Sequence, residues 1–142
     1  MADTDEKVAA ELENIERVLA GLPAQISLKR LSALELAGAA ALIHNFYNGI
    51  ENILKQVVIV KGISIPQGPS WHTDLIEACV EHQIISGETS QMLRKYLSFR
   101  HFFSHAYSFD LNPQRIAPLL QTIRHVHKCF IEDIAKVLPP KE

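Results

Sequence analysis

The sequence predicts an all-α protein, an up-and-down bundle of four to five helices. Apolar residues recur at spacings of three and four along most of the chain. The one β-branched run, Val57-Val58-Ile59-Val60, has no partner strand, and the period before it is helical. The helix breakers fall in a few short places, so the connections are short. A length of 142 residues fits a single domain over residues 1–142.

Asp3 or Thr4 is placed to cap a first helix that runs to about Ala20, with Val8, Leu12, Ile15, Val18 and Leu19 as its apolar stripe. The acids of its first turn suit the positive end of the helix dipole. Gly21 and Pro23 stop it. A second, long helix is expected from about Ser27 to Val60, with Leu28, Phe46, Ile50, Ile53, Leu54 and Val57 among its apolar positions. Within it, Gly38-Ala39-Ala40-Ala41 is a small-residue segment open to close helix approach. Residues 62–70 hold two Gly and two Pro and read as a loop. Ser70 is expected to cap a third helix, about Trp71 to His82. A fourth starts near Glu88 and carries Met92, Leu93, Tyr96 and Leu97 toward the motif described below. Asn112-Pro113 reads as an N-cap followed by Pro at the first helical position, opening a fifth helix to about Leu138. Pro118 marks either a kink or a later start near Ala117.

Composition is that of an ordinary folded protein, 47% apolar and 21% charged, and the net charge of −2 carries no information about a nucleic-acid partner. Its distribution carries more. Residues 1–20 hold six acids against Lys7 and Arg17, whereas residues 94–142 hold eight bases, four acids and four of the seven His. The C-terminal third either faces an anion or is a helix face of mixed charge. Cys79 and Cys129 lie in apolar helical patterns and form no CxxC, so both are expected to be buried thiols of a reducing compartment. No apolar run approaches the ~18 residues of a membrane span, and no signal peptide is read in the acidic first residues, so the expected location is the cytoplasm.

The chemistry concentrates in Arg100-His101-Phe102-Phe103-Ser104-His105-Ala106-Tyr107, where one Arg and two His stand among aromatic residues. Polar groups of this kind are costly to bury unless paired or used. His101 and His105 share a helix face, but no Cys or carboxylate nearby offers a third ligand, so no metal site is expected; no P-loop, dinucleotide loop or Ser elbow is present either. Arg100 offers a fork for phosphate and His105 a base for a 2′-OH, a pair sufficient for metal-free RNA cleavage. The alternative is a cation–π cluster of Arg100 with its aromatic neighbours, with His105 a satisfied helix-end histidine. At ~100° per residue, Arg100 and His105 lie about 140° apart on an ideal helix. Either the helix breaks between them or a second copy of the chain completes the site. Asn45, Asn48, Asn52 and Lys55 recur at helical spacing beside Glu51. They border such a site or form an exposed face with a Glu51–Lys55 pair. Trp71 and His72 stack on a base, or Trp71 plugs the start of its helix.

Arg100-x4-His105-x-Tyr107 resembles the signature of the HEPN superfamily, in particular its HepT-like ribonuclease toxins. Phe46-Tyr47-Asn48-Gly49-Ile50-Glu51-Asn52-Ile53-Leu54-Lys55 resembles the second helix of that family, and Gly68-Pro69-Ser70-Trp71-His72 its loop into the third. The resemblance covers about residues 10–138. It implies a homodimeric, metal-independent ribonuclease with no cofactor, with catalytic Arg100 and His105 meeting at the dimer interface and His101 beside them; Glu51 and Asn48, from the polar stripe, are the further supporting candidates. The residue after the motif Arg is often Asn or Asp; His101 keeps a polar group there. It further implies an MNT-type nucleotidyltransferase antitoxin that transfers AMP to Tyr107. Some superfamily members are instead non-catalytic modules that bind nucleotide or a protein partner.

Overall fold

The computed structural model describes residues 2–22, 31–105 and 111–138, the side chains of residues 2–4 and 105 excepted. Five helices make up the fold: α1 (Ala2–Ala20), α2 (Ala33–Val60), α3 (Trp71–Glu81), α4 (Gly87–His105) and α5 (Pro113–Val137). There is no strand among the described residues, and the all-α bundle is the one its periodicity implies. Helix α2 is the central element, in contact with each of the other four.

Local chemistry sets the boundaries. Helix α1 already contains Asp3 and Thr4, so neither is its cap. At its other end, the Arg124 guanidinium reaches over from α5 and donates from Nη2 to the carbonyls of Leu19 and Leu22, both at 3.1 Å. The Leu19 carbonyl also takes the Leu22 amide at 3.2 Å, and Leu22 follows the helix end, so the guanidinium ties the last turn to the chain leaving it. Helix α2 begins later than Ser27 would place it. Ser32 is its N-cap, with Oγ accepting from the Glu35 amide and Glu35 accepting from the Ser32 amide, each at 3.1 Å. This reciprocal capping box fixes the start at Ala33; Ser27 itself, like Pro23, lies outside the described residues. Gly62, at φ +73°, ends α2 with its amide on Ile59 and the Ile63 amide on Val58. The same closure ends α3, but there the left-handed residue is Gln83, at φ 60°, not a glycine.

Ser70 precedes α3, yet its side chain does not cap the backbone. The Ser70 hydroxyl donates instead to the Asp74 carboxylate at 3.0 Å. Ser86 does cap α4, taking the Thr89 amide, and the Ser86 amide and Thr89 hydroxyl both donate to Asp133 of α5. Asn112 caps α5 through the Gln114 amide, with Pro113 first in the helix. The helix starts there and not near Ala117, running through Pro118, which has no N–H to offer the Gln114 carbonyl.

One cluster of buried side chains draws on all five helices, with Ile15, Phe46, Ile53, Leu75, Leu93, Tyr96, Ile123 and Phe130 among its members. Full burial of side chains of this size is worth about 1.5–3 kcal/mol each. Tyr96 is buried whole because its hydroxyl donates to the Leu119 carbonyl at 2.6 Å. Cys79 is buried as expected, but Cys129 is not: it is half-buried on α5, 3.6 Å from His125 Nε2. The close helix approach also falls elsewhere than Gly38, which has open space around it. It occurs at Gly49, where a Cβ would lie 2.7 Å from Ile15 Cγ1 of α1. No helix among the described residues is long and apolar enough to cross a membrane.

Candidate active site

Helix α4 turns its aromatic residues inward. Phe99 is buried and stacks on Phe103 at 5.9 Å between centroids, and Phe103 in turn lies 5.0 Å from the His44 ring of α2. These contacts draw the C-terminal half of α4 onto α2 beside His44. Arg100, between the two Phe on the chain, then reaches α2 one turn further on. Its Nε donates to Asn48 Oδ1 at 3.0 Å.

That bond orients a chain of groups. With Oδ1 turned to Arg100, the Asn48 amide nitrogen points to His44 Nε2 at 3.1 Å. An amide nitrogen only donates, so His44 accepts at Nε2 and carries its proton on Nδ1. The His44 Nδ1 atom is buried and has no hydrogen-bond partner. Burial first, and the Arg100 charge second, hold the His44 imidazole below its ordinary pKa, which keeps it neutral and in the accepting form. Among the described residues Arg100 is engaged through Nε alone, so its two Nη groups remain as a fork. The cation–π contact on the motif's aromatics is made by a different residue: the Arg115 guanidinium lies 4.2 Å over the Phe102 ring.

Glu51 departs from the surface pair with Lys55. It is 3% exposed, and its Oε2 accepts from His72 Nδ1 at 2.7 Å. Lys55 instead places Nζ 4.3 Å over the Trp71 ring, which lies against the His72 ring at 3.6 Å between centroids, tilted by 31°. Trp71 is half-buried and packed against the core. The Tyr47 hydroxyl is buried beside the Glu51 carboxylate, without a hydrogen bond of good geometry. Burial above all, then the Glu51 charge, hold its phenol protonated against the opposing pull of Arg100.

The stripe of Asn45, Asn48, Asn52 and Lys55 therefore does not act as one face. Asn45 is exposed, Asn48 holds Arg100, Asn52 donates to Glu11 of α1 at 3.2 Å, and Lys55 covers Trp71. His101 is exposed beside Arg100 on α4. His105 is the last residue of α4, its side chain outside the described residues, and Tyr107 lies outside them altogether. Helix α4 is unbroken from Gly87 to His105, so of the two options left by the ~140° divergence, a helix break is removed. Among the described residues no group of His, Cys, Asp and Glu is placed to hold a metal ion.

The profile of the HepT-like protein family matches residues 38–139. The chain belongs to the HepT-like family. The match runs from the second turn of α2 to just past the end of α5, so His44, Asn48, Glu51, His72 and Arg100 lie inside it, and α1 with Glu11 lies outside. No curated protein and no solved structure gave a significant match. Two site residues of this HepT-like chain are not legible from the motif alone: His44, and His72 as the partner of Glu51. The available signal for His44 is its position four residues before Asn48, on the same helix face.

Proposed function

We propose that this HepT-like protein is a metal-independent ribonuclease, the toxin of a HEPN/MNT toxin–antitoxin pair. The observation that carries this reading is the Arg100–Asn48 hydrogen bond, which holds the motif arginine by Nε and leaves its fork for an anion. In this scheme His105 takes the proton of an RNA 2′-OH. The 2′-oxygen then forms a bond to phosphorus as the bond to the 5′-oxygen breaks, and Arg100 stabilises the charge that builds on the phosphoryl oxygens. The products are a 2′,3′-cyclic phosphate and a 5′-hydroxyl.

Arg100 and His105 diverge on one continuous helix, which supports a composite site in which a second copy supplies the complementary group. A homodimer with both motifs lining one cleft brings two Arg100 cations together, and a bound phosphate relieves their repulsion. RNA or sulfate accordingly stabilises the dimer. Asn48 and Glu51 support the site from α2, and His101 adds a polar group beside Arg100.

Tyr107, two residues past His105, is the proposed acceptor of AMP from an MNT-type nucleotidyltransferase. An adenylate there places a phosphate among the cations that RNA needs and fills the space of the substrate. Inhibition then needs no change of fold. Tyr107→Phe keeps ribonuclease activity and escapes modification.

The test is RNA cleavage in excess chelator by wild type, Arg100→Ala and His105→Ala, after the intact mass has shown the protein unmodified. Cleavage by wild type alone supports the reading. No cleavage by unmodified wild type favours a non-catalytic module that binds nucleotide or a partner.

A further inference from the structure

The scheme above leaves the Glu51–His72 pair without a chemical role. Glu51 is a carboxylate with 5% of its side chain exposed, on the inner face of α2. A buried acid is unfavourable unless something pairs with it. His72 Nδ1 approaches it to 2.7 Å, and the buried Tyr47 hydroxyl faces it as well. A carboxylate at Nδ1 fixes both the tautomer and the aim of an imidazole, leaving Nε2 as the atom that gains and loses a proton. The Trp71 ring lies against the imidazole at 3.6 Å between centroids, tilted by 31°. The His72 side chain is 22% exposed, against 5% for Glu51.

The pair and Arg100 are anchored at neighbouring positions of α2. Glu51 is three residues beyond Asn48 on α2, a spacing that makes two side chains neighbours at about 5–6 Å between Cβ atoms. Asn48 holds Arg100, and Glu51 holds His72. The buried Tyr47 phenol beside them feels the charges of both Glu51 and Arg100. A phosphate-binding cation and an oriented imidazole thus hang from adjacent turns of one helix.

We propose that His72, positioned by Glu51, is the general acid that protonates the departing 5′-oxygen of the RNA held at Arg100. The proposal rests on the ribonuclease reading. As the 2′-oxygen loses its proton to His105 and bonds to phosphorus, the P–O5′ bond breaks. Its electron pair takes the Nε2 proton of a His72 imidazolium. His72 is left neutral, its Nδ1–H still on Glu51, and both histidines return to their starting states by exchanging a proton with water. The proton inventory of the step is balanced without a metal.

A leaving group that needs no proton tests this. The substrates are an oligoribonucleotide cut by the full-length wild type at a mapped linkage, and the same oligonucleotide with sulfur replacing the bridging 5′-oxygen there. A thiolate departs unaided, because a thiol is far more acidic than an alcohol. His72→Ala should cut the oxygen linkage on the order of 10²–10⁴-fold more slowly, and the sulfur linkage at close to the wild-type rate. Glu51→Gln, acting only through the ring, should show a smaller loss on oxygen and the same restoration on sulfur. If His72→Ala folds poorly, the double variant His72→Gln with Glu51→Gln keeps a buried hydrogen bond and carries the same comparison. His105→Ala should be slow on both linkages. Equal loss on both linkages for the His72 variants, or no loss on either, overturns the proposal while leaving the ribonuclease reading intact. Unmodified wild type that cuts neither linkage overturns the ribonuclease reading, and the role of His72 with it.

Discussion

Arg100 of α4 and Asn48 of α2, 52 residues apart, are joined by a 3.0 Å hydrogen bond that fixes the guanidinium by its Nε edge. The bond occupies Nε and leaves the two Nη groups for an end-on bidentate phosphate contact. It also sets the Asn48 amide, and through it the tautomer of His44.

Asn48→Ala removes the tether without touching the cation. The expected result is RNA cleavage lower on the order of 10²-fold, the scale of a misplaced catalytic group. Stability should fall by about 1–2 kcal/mol, since Arg100 is half-exposed and water replaces part of the lost bond. Cleavage rates and urea unfolding check the two effects separately.

The composite site predicts complementation. Arg100→Ala and His105→Ala homodimers should each be inactive. After subunit exchange, the mixed dimers hold one Arg100 and one His105 in the cleft and should regain a measurable share of the activity. A mixture as inactive as its components, with exchange verified by native mass spectrometry, would argue for a site made within one chain.

Acid should loosen the Arg100 tether. His44 is held below its ordinary pKa of 6.5, mainly by burial and then by the Arg100 charge, and His127 is lowered too, by burial against the opposing pull of Glu16. Below that value the unfolded chain binds more protons than the folded one. The contribution of these two groups is therefore full above about pH 6.5 and declines as the pH falls through the window beneath it. Protonated His44 can no longer accept from Asn48. The loss of melting temperature between about pH 7.5 and 5.5 should be smaller in His44→Gln than in wild type.

Gln83 holds a left-handed conformation that glycine adopts without strain. Gln83→Gly should stabilise the protein by about 0.5–1 kcal/mol, after the added freedom of the unfolded chain is set against the relief. For a domain of this size that raises the melting temperature by about 2–4 °C. Differential scanning calorimetry reads it directly.

Much of the bundle is legible in the sequence because its signals are local. The period of three and four residues, Asn112-Pro113 ahead of α5 and the Gly-rich end of α2 each act within a turn. The start of α2 is legible too: Ser27 has Arg30 three positions on, whereas Ser32 has Glu35, and that Ser-x-x-Glu pattern is the capping box that forms. The site is less legible, for the same reason turned around. Arg100 reads locally as an aromatic-clustered cation and Glu51 as the partner of Lys55, four residues on. Their actual partners lie 52 and 21 residues away, at distances that no helical period encodes.

Gly49 and Ile15 share one space, with no room for a Cβ at position 49 while Ile15 fills it. The two positions therefore cannot drift independently through descent. A side chain at 49 requires residue 15 to turn aside or shrink, or the leading helix to move from its seat. Because α1 lies outside the segment that defines the family and Gly49 lies inside it, that single glycine serves as a marker. Its presence in a relative is compatible with a first helix docked as it is here, and a bulky replacement without a matching reduction opposite signals one that is re-seated or lost.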